Sequence, residues 1–401
     1  MKSLLLFSLI EAMEGVVKRA KDDKKGTHLP TLLPELISEI LSRVPIESLM
    51  RFTCVSKSWS NLTKHPAFIK LQQSRAQPRI MFVEETGDGD PDTPRTCLYL
   101  IDEGEEGECR WKGRDIPIEV KEDGFFWILG SCDGLLCVES GLCQEDPLLI
   151  YSPITKECVT LPESDRKHVV TSTGFCFDDK SKKYKVVRLF TDDDSLFYTK
   201  GEIITVGESA WRILDVPYAV PLGEGVEPLF EGGALYWFNN NEQHLSGPKQ
   251  IVVFDIANEK FRTIDFSITL NGTLSLGLAV DGDSLLVVEH SEQNHIRIFK
   301  IIGTEVEGYK IQESSHVMSI RPEDCPWGLS YVSYWSKDAV MFQHFLDENK
   351  QSFQLAFYFF KKKKYRIVEL HGVPNHYDIK YIAPSLVSPS ATFATASCVA
   401  K

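Results

Sequence analysis

The sequence predicts an α+β multidomain chain: a small all-α module at the front, then an all-β, six-bladed propeller. Three observations carry that reading. Apolar residues recur at helical spacing only near the N-terminus. After about residue 78, short β-branched and aromatic runs alternate with Gly, Asp, Asn and Pro clusters. One strand-like segment then returns about every 50 residues. The expected boundaries are a flexible tail over 1–28, the helical module over 29–76, the β domain over 80–385 and a second flexible tail over 386–401.

In the front module Leu33, Leu36, Ile37, Ile40, Leu41 and Val44 are spaced by three and four and so share one helix face. Pro34 suits a first turn, where its missing N–H costs nothing, and Pro45 ends the helix by forcing the preceding residue out of the α region. A second helix carries Leu49, Met50 and Phe52, a third Val55 and Trp59, and a fourth follows His65-Pro66 with Phe68, Ile69 and Leu71. About 45 residues bury too little surface to be stable alone. The surplus apolar groups must be covered by another protein or by the rest of this chain, and periodicity does not choose between them.

The returning segments are CLYLID around Tyr99, LLIYSP around Ser152, EIITVG around Thr205, IVVFDI around Phe254, IRIFKI around Phe299 and LAFYFF around Tyr358. Hairpin signals precede several of them, Asp-Gly in GSCDGLLCV and AVDGDSLLVVE and Gly-Gly in FEGGALYWF, because such turns need positive φ at little steric cost. A polar turn and another strand follow, as in SPITKECVTLP, DIANEKFRTIDF and FKKKKYRIVEL. A multi-stranded unit of about 50 residues is the size of a kelch-like blade, and six fill residues 80–385. Two packed sheets with long connections are the alternative.

Composition narrows the function. The chain has 44 Lys and Arg against 57 Asp and Glu, and this net charge of -13 disfavours binding to a nucleic-acid backbone. Ten scattered cysteines with no CxxC pair read as reduced thiols of a cytoplasmic or nuclear protein, each acting as a small hydrophobe. MKSLLLFSLIEAMEG echoes a secretory signal, but Glu11 and Glu14 interrupt it and no cleavage pattern follows; Met13 is an alternative start to Met1. KRAKDDKKG at 18–26 reads as a solvated tail or a weak nuclear-import patch. No run of about 18 apolar residues predicts a membrane helix.

Catalytic chemistry finds no pattern. His244, His290, His295 and His344 form no ligand spacing. GDGDPD at 87–92 and DDDS at 192–195 lack the rest of a calcium loop and read as solvated turns. Glycines 223, 225, 232 and 233 precede no helix that would cradle phosphate, KKKK at 361–364 reads as a hairpin tip, and there is no GxSxG elbow. No cofactor or metal is expected.

The stretch LPELISEILSRVPIESLMRFTCVSKSWSNLTKHPAFIKLQ resembles an F-box. Glu39-Ile40-Leu41, Arg43-Val44-Pro45, Ser48-Leu49, Arg51-Phe52, Cys54-Val55, Lys57, Trp59 and Pro66-Ala67-Phe68 fall in register, and the proline of the family's opening Leu-Pro arrives one residue late, at Pro34. Gly130–Cys137, Tyr151–Lys156 and Gly174–Arg188 are similar to the opening of the F-box-associated domain of plant proteins, with Ser152 where Asn is usual and Phe177 where Tyr is usual. This likeness thins after about residue 240.

The resemblance implies a non-catalytic receptor subunit. Its F-box would dock on a Skp-family adaptor, and through it a cullin-RING ubiquitin ligase, by Leu33, Pro34, Leu36, Ile37, Leu41, Pro45, Leu49, Val55 and Trp59. Its β domain would present loops to a target protein for ubiquitination and degradation; exposed aromatics suit such a face, but most of Trp111, Trp127, Trp211, Trp237, Trp327 and Trp335 are expected in the blade core, and the target-binding residues are left unassigned. A non-degradative adaptor-bound regulator, or a propeller enzyme with a helical cap, are the rival expectations.

Overall fold

The computed structural model describes residues 34–392 apart from 55–56, 77–78, 87–94, 104–108, 111–115, 118–125, 141–147, 165–168, 193–194, 218–226, 240–248, 267–272, 282–283, 292–294, 305–307, 320–330, 337–338, 345–351, 360–361, 363 and 372–376. The expected N-terminal tail, the two candidate starts and GDGDPD therefore lie outside the described residues.

Prolines set the helix ends. Helix α1 spans Pro34–Leu41, α2 Ile46–Phe52, α3 Lys57–Thr63 and α4 Pro66–Gln73. Pro45, in extended conformation, is the N-cap of α2 and its carbonyl accepts from the Ser48 and Leu49 amides. Before α4 the His65 ring accepts from the Ala67 amide, with Pro66 in the first turn. Leu41, Val44, Ile46, Leu49, Phe52, Trp59 and Phe68 are buried, and the Phe52 and Trp59 rings meet edge to face at 5.5 Å. Arg75 bonds both carboxylate oxygens of Glu39 at 2.8 Å, tying the chain after α4 to α1.

These helices form one compact unit with Pro384–Val387, and the strands with the last helix form a second. The described residues 386–392 fall within the stretch expected as a second tail. Leu386 and Val387 are buried, and Pro389–Thr392 is a short helix, α5, whose Thr392 amide donates to the Ser388 carbonyl while Ser388 Oγ donates to Glu157. The physical reason is the apolar Leu-Val pair, which gains by leaving water.

The described strands form six antiparallel sheets, each following chain order except the first. That sheet pairs β1 (Arg79–Thr86) with β2 (Arg95–Glu103) and, on its other side, with the final strand β25 (Tyr377–Ile382), while the short β3 (Cys109–Arg110) and β4 (Ile116–Pro117) both pair with β2. The second sheet holds β5 (Phe126–Cys132), β6 (Leu135–Ser140), β7 (Leu148–Tyr151) and β8 (Cys158–Thr160). The third holds β9 (Val169–Asp178), β10 (Lys183–Asp192), β11 (Ser195–Thr205) and β12 (Arg212–Leu214). The fourth holds β13 (Leu229–Glu231), β14 (Ala234–Asn239), β15 (Lys249–Asp255) and β16 (Lys260–Phe266). The fifth holds β17 (Thr273–Asp281), β18 (Ser284–Ser291), β19 (His295–Thr304) and β20 (Gly308–Ser319), and the sixth β21 (Tyr331–Ser336), β22 (Ala339–His344), β23 (Ser352–Phe359) and β24 (Lys364–His371).

First strands neighbour one another in succession: β25 lies by β5, β5 by β9, β9 by β13, β13 by β17 and β17 by β21. This radial order is propeller-like, and the pairing of β25 with β1, from Arg79↔Ile382 to Glu84↔Tyr377, lets the chain's last strand complete its first sheet. The six repeated segments lie in or at the end of β2, β7, β11, β15, β19 and β23, the third strand of every sheet. Two packed sheets are not what these strands form.

The hairpin turns carry the φ values their sequences require: Asp133 52° and Gly134 79° between β5 and β6, Gly232 59° and Gly233 78° between β13 and β14. Apolar cores lie between sheets. Met81, Ile128, Leu136, Val138 and Ile382 join the first and second; Val187, Ile203, Leu235, Trp237 and Phe254 join the third and fourth. Cys132, Cys137 and Cys176 belong to this interior, and burial pushes their thiols up, Cys137 to about 12, so they are inert hydrophobes. Cys54 and Cys158 are exposed.

Candidate functional site

Two groups of side chains stand out, one in each unit. In the helical unit Pro34, Leu36 and Pro45 are exposed, Leu36 to 49%, on backbone fixed by the starts of α1 and α2. Ile37 is half-buried, while Leu41, Leu49 and Trp59 are covered by this chain, Leu49 wholly. Beside them Glu39 bonds Arg43 and Arg75, and these cations hold its carboxyl below the usual carboxylate range.

In the sheet unit the polar motif residues turn inward. Lys185 on β10 reaches Asp178 Oδ2 at 3.0 Å, Glu259 Oε1 at 2.9 Å and the Ile256 carbonyl at 3.0 Å, so three acceptors from two sheets satisfy its ammonium. Burial alone would lower the Lys185 pKa, but the bonds to Glu259 and Asp178 outweigh it and raise it. Burial likewise acts to raise Asp178, yet bonds from Lys185, Ser181 and the Lys180 amide hold it at about 2. Arg212 grips Glu259 with two bonds of 3.0 Å, which lowers that carboxyl. Arg188 pairs with buried Glu202 at 3.4 Å and lies over Trp211 at 5.3 Å.

Tyr184 OH donates to Asp133 Oδ2 at 3.0 Å, linking β10 to the β5–β6 turn. Phe177, at the position where Tyr is usual, packs its ring 4.9 Å from Tyr184. Ser152, where Asn is usual, is buried and keeps a turn-forming role: its Oγ accepts from the Thr155 amide and its carbonyl from the Lys156 amide. A Cβ on Gly174 would lie 2.6 Å from Leu235 Cδ1, so this position admits the next sheet only without a side chain.

Comparison with known proteins finds a family match in each region. Residues 29–71 match the F-box domain, and residues 96–280 match the F-box associated beta propeller domain. Both matches are to domains of F-box proteins, and the chain is similar to plant F-box proteins that carry a C-terminal F-box-associated domain. Among Arabidopsis thaliana relatives, F-box protein At3g07870 is 28% identical over 60% of this chain and 61% of its own length, and F-box protein At1g53790 is 26% identical over 58% and 53%. The chain thus spans less than two thirds of the length of these two relatives. Putative F-box protein At1g53370 is 26% identical over 88% of this chain and 90% of that one. A mutant of Aleuria aurantia lectin bound to alpha-methyl-L-fucoside overlays with a TM-score of 0.39 at 12% identity, covering 75% of this chain and 98% of that one, too slight a likeness to bear on fold or function.

Of the nine adaptor-facing candidates, seven are described, and they differ in exposure. Pro34, Leu36 and Pro45 are open to solvent, Ile37 partly so, and Leu41, Leu49 and Trp59 are internal packing. Leu33 and Val55 lie outside the described residues. Of the candidate tryptophans, Trp237 is core and donates to Ser172, Trp211 is half-buried and donates to the Pro162 carbonyl, and Trp127 is 52% exposed on β5. Trp111, Trp327 and the Trp335 side chain fall outside the described set. Sequence reading passed over Ile213 and Ile302, exposed to 66% and 42%, because strand alternation does not tell an outer edge from a core face. Beyond residue 280, where the family match ends, the described elements are β18 to β25 and α5.

Proposed function

We propose that this chain is the substrate-recognition subunit of an SCF-type ubiquitin ligase, working in the cytoplasm, the nucleus or both. The F-box docks on a Skp-family adaptor, and the β domain, a kelch-like propeller of six blades, holds a target protein for ubiquitination and proteasomal degradation. The observation that carries this is the exposure of Pro34, Leu36 and Pro45 on helices that match an F-box. Exposed apolar groups above a small closed core are the ingredients of an interface centre. The contribution to chemistry is proximity: a held target meets the ubiquitin-carrying enzyme at raised effective concentration, so the chain needs no catalytic group of its own.

The test is capture of a purified Skp-family adaptor by the full chain. Leu36→Glu with Pro45→Ala is expected to weaken capture at least about tenfold, roughly 1.4 kcal/mol, with the helical circular dichroism unchanged. Undiminished capture by the folded double variant overturns the docking reading. For the target half, isolation from tissue treated with a proteasome inhibitor is expected to bring down adaptor, cullin and an accumulating client. Adaptor and cullin without an accumulating client would argue for a non-degradative regulator.

A further inference from the structure

A four-helix module of this size is marginal on its own, and the described helices are not its whole content. Gln72, buried on α4, donates from Nε2 to the Pro384 carbonyl at 3.3 Å, across 312 residues of sequence. Ser385, Leu386 and Val387 are buried, and the Val387 amide donates to Ser385 Oγ at 3.2 Å, which holds the segment in a tight local fold. Immediately before this segment Ile382 pairs with Arg79, and immediately after it Ser388 Oγ bonds Glu157, so both flanks belong to the sheet unit.

We infer that Pro384–Val387 is a structural part of the adaptor-docking module, so that the F-box becomes competent to dock only when the far C-terminal end of the chain has been built and β25 has closed the first sheet. The segment follows β25 directly, so a chain that ends before it lacks the four residues that complete the helical unit, and one whose β25 is unpaired leaves them unanchored on that side. The physical basis is burial: Leu386 and Val387 are out of water in a segment that groups with the helical unit, and Gln72 supplies a polar anchor for it. An incompletely folded receptor would on this basis fail to enter a ligase. The docking half rests on the function proposed above; the structural half does not.

The experiment uses the full chain with Leu386→Asp and Val387→Asp together, and separately Gln72→Ala, reading amide hydrogen exchange in α2–α4, β10 and β15 beside capture of purified Skp-family adaptor. The expected result for the double variant is exchange in α2–α4 faster by about tenfold or more, unchanged exchange in β10 and β15, and capture falling in step. Gln72→Ala is expected to move the same amides in the same direction by less. Unchanged exchange in α2–α4 of the double variant overturns the inference. If the double variant loses protection throughout the chain, Gln72→Ala decides, and unchanged helical exchange there overturns it. A wild-type chain that captures no adaptor overturns the docking reading, while the exchange comparison still reads whether the segment completes the helical unit.

Discussion

In the F-box, three of the adaptor-facing candidates, Pro34, Leu36 and Pro45, are exposed on a helical module with a core of about seven side chains among the described residues. In the β domain the marking residues Asp178, Tyr184, Lys185 and Arg188 are buried, tying strand to strand and sheet to sheet. The difference separates two meanings of a sequence motif. An apolar residue left exposed points to a partner, whereas a charged residue taken inside with its counter-charges points to the fold's own construction. In this protein the charged motif residues of the β domain are its scaffold.

The sharpest way to break that contrast is Lys185→Ala. It leaves Asp178 and Glu259 without their shared cation, and a buried pair broken on one side is expected to cost about 3–5 kcal/mol in urea unfolding. A loss below about 1 kcal/mol would mean the site is solvated and not scaffold. Gly174→Ala comes next: the new methyl meets Leu235 Cδ1 at 2.6 Å and Pro228 Cγ at 3.1 Å, and overpacking of this kind is expected to lower stability by about 1–3 kcal/mol, read as a lower melting temperature. Leu36→Glu, on the exposed side of the comparison, is expected to change stability by no more than about 0.5 kcal/mol in the same assay. A large loss there would place Leu36 in the core.

The smallest effect concerns pH. Arg43 and Arg75 depress the Glu39 carboxyl in the folded chain, so its contribution to stability is present above the unfolded value of about 4.3 and is lost as pH falls through the lower folded value. Glu39→Gln is therefore expected to lower the helical unit's stability slightly at neutral pH and to make no difference at low pH. An equal effect at both would remove the two guanidinium contacts as its cause.

Much of this was legible in residues that act locally. Pro34, Pro45 and Pro66 fix helix ends through a missing N–H and a restricted φ, so their effect needs no distant partner. The third-strand repeat marked every sheet, because each sheet spends a similar length of chain on the same strand sequence. Leu41, Leu49 and Trp59 were legible only as apolar: spacing shows that a helix has a face to cover and is silent on what covers it.

The sequence by itself determined the order of the two regions, the rhythm of the sheets, the turn conformations at Asp133-Gly134 and Gly232-Gly233, and the family. Tertiary structure alone decided that Lys185 meets Glu259 across 74 residues, that Tyr184 anchors Asp133 across 51, that β25 closes on β1, and that Gln72 holds Pro384. The reason is range: propensity, capping and turn strain act within a few residues and can be read along the chain, whereas burial and charge pairing depend on which distant segments the closed array brings together.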